Sequence, residues 1–108
     1  MHRDTIIVYK NATIDASSPV TSSDILVGKS KIKSFGFFAD KALTVDIKAK
    51  LPGISAPQDY VLIASVTVGA GGSNTYSTEF VSEHMQIVMR AGSATTEFSA
   101  VYFGGSGE

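Results

Sequence analysis

The chain has 108 residues, a hydrophobic fraction of 44% and a formal net charge of −1. This is one domain with enough apolar material for a core, which excludes disorder, and it lacks the charge excess that drives nucleic-acid binding. It has no cysteine, so a disulfide, a thiolate nucleophile and a zinc finger are excluded.

The N-terminal stretch "MHRDTIIVYKN" holds only a short apolar run, Ile6 to Tyr9. That is too short for a signal-peptide core or a membrane span. The expectation is synthesis in a cytoplasm, no signal-directed secretion and no membrane partner. Charge is uneven along the chain, +3 over residues 1–54 and −4 over residues 55–108, and strands from both halves interleave in most sandwiches.

Strand formers recur in short runs, separated by Gly, Pro, Asn, Asp and Ser. The first run is "TIIVYK" (5–10), and the second is "VTSSDILVG" (20–28), entered from the turn-forming "SSP". Next comes "KIKSFGFFA" (31–39). Its alternation breaks, and a bulge between Ser34 and Gly36 would bring Ile32, Phe35 and Phe37 onto one face. "ALTVDIKAKL" alternates cleanly: Leu43, Val45, Ile47, Ala49 and Leu51 inward, Thr44, Asp46, Lys48 and Lys50 toward water. "LPGISAPQD" (51–59) reads as a loop.

"YVLIASVTV" (60–68) puts Tyr60, Leu62, Ala64, Val66 and Val68 on one side, with Val61 and Ile63 on the other. Such two-sided runs suit a central strand or one covered by a second subunit. "TYSTEFV" (75–81), "MQIVMRA" (85–91) and "TEFSAVYF" (96–103) follow, joined by the hairpin-sized links "SEH" and "GSAT". About eight strands with a turn every 8–12 residues predict an all-β fold, an antiparallel β-sandwich or jelly roll. Residues 1–103 form the single domain, with 1–10 as an edge strand or oligomerisation arm. "GGSGE" (104–108) is a flexible tail by composition.

Between two of these runs lies "GAGGSNTYSTEF". A phosphate cradle needs its glycines to open a helix. A strand follows here, with no Lys-Ser or Lys-Thr pair, so Gly69, Gly71 and Gly72 read as a hairpin turn using positive φ. His2 and His84 have no second ligand at metal spacing. The ten carboxylates are scattered, and no Gly-x-Ser-x-Gly elbow is present. No catalytic residue, metal site or cofactor is expected.

Two surface sets stand out. If 31–39 and 42–50 form a hairpin, Lys31 and Lys33 lie beside Lys48 and Lys50, as a basic patch for an acidic partner or as lysines that block edge pairing. Apolar residues left outside the core, namely Ile6, Val8, Tyr9, Val61, Ile63, Val101 and Phe103, mark a subunit interface. A carbohydrate- or receptor-binding module is the alternative. It would show as exposed Tyr60, Tyr76 or Tyr102 beside Asn74 and Gln58.

The order of features, "TIDASSPVTSSDILVG", a lysine-rich strand, "ALTVDIKAK", "VTVGAGGSNTYSTEF" and "MQIVMRAGSATTEFSAVYF", resembles small phage and virus β-sandwich structural proteins, the capsid decoration (cement) and tail modules. The resemblance covers residues 5–103 in style, and the long "LPGISAPQDY" loop departs from it. It implies a non-enzymatic virion protein that stabilises the particle. Its partners would be itself, as a homo-oligomer such as a trimer, and the major capsid or another virion protein. Residues 1–10 would then add a strand to a neighbour's sheet edge, and their deletion would abolish assembly without unfolding the domain.

Overall fold

A computed structural model describes residues 3–27, 31–50, 60–80, 82 and 84–105. Among them are nine β-strands: β1 Arg3–Ile14, β2 Val20–Thr21, β3 Ile25–Leu26, β4 Ile32–Ala39, β5 Leu43–Lys50, β6 Tyr60–Val68, β7 Gly72–Thr78, β8 His84–Ala91 and β9 Thr96–Gly105. Sheet I has the order β1-β9-β4-β7, and sheet II the order β2-β8-β5-β6 with β3 also on β8. All pairs are antiparallel. With β2 and β3 counted as one interrupted strand, this is the eight-strand jelly roll that the strand spacing predicts.

The core lies between the sheets, because each strand turns alternate side chains inward. Phe35, Phe37 and Ala39 from β4 and Phe98, Ala100 and Tyr102 from β9 meet Leu43, Val45, Ile47 and Ala49 from β5 and Met85, Ile87 and Met89 from β8. The ring centroids of Phe35 and Tyr102 are 5.3 Å apart, and those of Tyr9 and Phe98 are 5.1 Å apart. β5 follows its alternation, with Leu43, Val45, Ile47 and Ala49 buried; Leu51 and the 51–59 loop lie outside the described residues.

The connections depart from expectation. Only β5 and β6 are consecutive partners; apart from the break between β2 and β3, both on β8, every other link crosses between the sheets. β4 and β5 are therefore not a hairpin, and the links before and after β8 are not hairpins either. Link length is the reason, since a four-residue link spans the gap between layers as readily as it turns within one. The glycine segment also changes sheet. Gly72 N–H donates to Gly69 O at 2.9 Å, Gly71 has φ of 65°, and its N–H donates to Asp40 O at 3.1 Å. A strand, β7, follows at once.

Five strand readings also change. The expected strand 20–28 is split at Ser22–Asp24, where the Ser22 hydroxyl accepts the Ile87 N–H at 3.0 Å in place of a ladder bond. β4 has no bulge, since its register on β7 and β9 is unbroken. Lys33, Phe35, Phe37 and Ala39 face inward, and Ile32, Ser34, Gly36 and Phe38 face outward. The bulge lies instead in β6 at Ile63, between the pairs Ile47–Ala64 and Lys48–Leu62. It turns Tyr60 and Leu62 outward, away from the face that Ala64, Val66 and Val68 share. Finally, β7 starts at Gly72 and ends at Thr78, and β9 continues through Gly104 and Gly105. Gly104 and Gly105 are thus strand and not tail, and residues 106–108 lie outside the described residues.

Halves of the chain alternate strand by strand in both sheets. The charge asymmetry along the sequence is therefore mixed within each sheet.

Candidate functional site

The outward faces of the two sheets differ sharply. On sheet I the cross-strand rows read Thr5–Phe103–Ser34–Ser77, then Ile7–Val101–Gly36–Thr75, then Ser99–Phe38–Ser73. Ile32 extends the first end. No described side chain in these three rows is charged, and the exposed Glu97 of β9, opposite Thr13, stands beyond them at the end of the face. Ile7 is 63% exposed, Phe38 48% and Phe103 43%. A Cβ placed on Gly36 would meet the Phe103 ring at 3.7 Å, so the ring lies low across the glycine. Ser34 and Ser77 hydroxyls bond each other at 2.8 Å, and the Ser99 hydroxyl accepts the Asn11 N–H at 2.9 Å.

The outward face of sheet II is polar and ion-paired. Arg90 holds both carboxylate oxygens of Asp46, at 3.0 and 3.1 Å, and the Ser65 hydroxyl donates to the same carboxylate at 2.7 Å. Toward the other end, His84 Nδ1 meets Asp24 Oδ2 at 2.5 Å. The Tyr60 hydroxyl donates to the second Asp24 oxygen, and Lys50 Nζ stands 5.5 Å from the centre of the Tyr60 ring. This cluster ties the 22–26 segment across the sheet. Among the described residues no group of three or more His, Cys, Asp or Glu converges.

The residues singled out by sequence are divided by the fold. Val101 and Phe103 lie on the neutral face of sheet I, joined there by Ile7. Ile6 and Val8, with Tyr9, line a groove of about 250 Å³ against Ser23, Asp24 and Ile25 at the open edge between the sheets. Val8, Tyr9 and Ile63 pack onto the core, and burial raises the Tyr9 hydroxyl above its ordinary pKa of 10.0. Val61 pairs with Ala49, on the inward register.

The basic patch does not assemble: Lys31 precedes β4 and Lys33 is on it, in sheet I, whereas Lys48 and Lys50 are on β5, in sheet II. Lys33 points inward, is 4% exposed, and burial lowers its pKa from 10.5. Nor do the tyrosines form a sugar platform. Tyr102 is buried, Tyr76 packs on the core, and Tyr60 is bound to Asp24; Gln58 lies outside the described residues.

Sequence reasoning missed the Asp24–His84–Tyr60 cluster and the Asp46–Arg90 pair. Their members are far apart along the chain, and only strand order joins them. It also missed that Ile32 and Phe38 face outward. The available signal was the serine and glycine between them, since small residues next to exposed apolar ones mark a flat face.

The chain is similar in fold to the PBSX exported protein XepA. The TM-score is 0.75 at 18% identity, over 97% of this chain and 38% of that one. The chain thus spans well under half of XepA's length. A protein of the Bacillus endospore appendages, described as disulfide-linked pili, is also similar, with a TM-score of 0.55 at 11% identity over 94% of this chain and 84% of that one. The sequence matches no protein-family profile and no curated protein.

Proposed function

We propose that the chain is a non-enzymatic structural module of a virion, either a decoration (cement) protein on a capsid or a module of the tail. The neutral outward face of sheet I carries the reading. Exposed Ile7, Phe38 and Phe103 on a surface of serines and threonines are better satisfied by another protein than by water. The jelly roll supports it as well, because a sandwich holds such a face rigid without a cofactor, and double-sheet jelly rolls recur in viral capsid domains. The fold it shares with the phage-related XepA points the same way. In this reading the chain is made in the host cytoplasm and resides on the assembled particle. It contacts further copies of itself and the major capsid or another virion protein.

The test is the composition of particles purified on a density gradient from the source of this chain. The reading expects the chain at a fixed ratio to the major structural protein, and particles lacking it to lose integrity at a lower temperature. Gradient-pure particles without the chain would refute it.

A further inference from the structure

We propose that a second copy of this chain packs against the outward face of sheet I, face to face about a two-fold axis near Gly36. The inference rests on the assembly reading above and deepens it by naming the partner and the surface.

Charge selects the occupant. A surface bearing ionised groups would have to strip water from them against central rows that have no charge to offer in return; the exposed Glu97 of β9 stands beyond those rows, at the end of the face. The outward face of sheet II has Asp46, Arg90, Lys48, Lys50, Asp24 and His84, so it is a poor match. The outward face of sheet I is a good match for itself. The exposed polar groups of its central rows are hydroxyls, on Thr5, Ser73, Thr75 and Ser77, with Ser99 half-buried among them. A hydroxyl both donates and accepts, so it can pair with the same group of a symmetry mate.

Shape agrees with chemistry. Gly36 puts no side chain at the centre of the face, and the Phe103 ring lies beside it, which suits sheet-on-sheet packing at about 10 Å. Four strands about 4.8 Å apart and seven or so residues long give roughly 450 Å² in projection. Two copies then bury about 900 Å², the size of a weak, concentration-dependent contact. The contact is isologous and closes at two copies, in place of the trimer expected from sequence.

The experiment is sedimentation equilibrium of the full chain over a concentration series, up to about 1 mM. The proposal expects a monomer–dimer equilibrium. Ile7→Lys and Phe38→Glu should each raise the dimer dissociation constant at least about tenfold, with circular dichroism and melting temperature unchanged. Thr75→Lys, at an exposed hydroxyl with no core contact, should act likewise and guards against misfolding of the first two. Leu62→Lys, 57% exposed on sheet II, should leave the dimer intact. A chain that stays monomeric at the highest concentration overturns the proposal. So does an oligomer that survives the sheet I substitutions and yields to Leu62→Lys. In both cases the virion reading stands or falls separately, on particle composition.

Discussion

Asp46 is on the water side of β5, yet it is only 8% exposed. Arg90 and Ser65 cover it, and the bidentate geometry makes this pair stronger than a loose surface bridge. Because Arg90 is half exposed, Asp46→Ala should cost only about 1–2 kcal/mol by chemical denaturation. Phe35 is different in kind. It is fully buried, with Phe37 and Tyr102 beside it, and Phe35→Ala should cost about 3–5 kcal/mol through the cavity it leaves.

Lys33 makes a pH-dependent contribution. Its folded pKa is depressed below 10.5 by burial, so the unfolded chain binds the proton more tightly. At neutral pH the cost of burying the ammonium is present in full. Stability should rise with pH from the lowered value up to 10.5, and Lys33→Met should remove that rise. Tyr9 acts in the opposite direction at higher pH. Its raised pKa means that stability falls as pH climbs past 10.0. The difference between wild type and Lys33→Met isolates the lysine, since Tyr9 is common to both.

Among the elements, the turn before β7 depends on one glycine. Gly71 has positive φ and Gly69 does not, and neither position is crowded. Gly71→Ala should therefore cost about 1 kcal/mol and Gly69→Ala close to nothing, as read from paired melting curves. β1 yields a sharper expectation. It pairs with β9 from Arg3 to Ile14, through two register shifts, and Tyr9 packs against Phe98. Deleting residues 1–10 should thus lower the melting temperature markedly, where the sequence alone suggested a dispensable arm. A truncated domain that melts with the full chain would contradict this placement of β1.

β5 was legible because it is one-sided: Leu43, Val45, Ile47 and Ala49 turn in, and polar residues turn out. β4 was not, because it buries Lys33 and exposes Ile32 and Phe38, so counting apolar residues assigns the wrong face. Strand existence was legible throughout, whereas pairing was not. Short links such as "GSAT" carry no local mark of whether they turn within a sheet or cross to the other. The basic patch failed for that reason, and the Asp24–His84–Tyr60 cluster stayed hidden for the same one.

At the scale of the whole molecule, the chain is a thin slab, 39 × 31 × 18 Å, with one ion-paired face and one whose central rows carry no charge. Ionised groups keep the first in water at little cost. The second gains by leaving it, at about 25 cal/mol per Å² of apolar surface covered. Assembly through sheet I follows from this difference and requires no change in the fold. The most direct measurement is hydroxyl-radical footprinting of the chain in purified particles against the free chain in dilute solution. The account predicts that Ile7, Phe38 and Phe103 lose reactivity on assembly while Tyr60 and Leu62 keep theirs. Unchanged reactivity at Ile7, Phe38 and Phe103, with protection at Tyr60 and Leu62, would contradict it.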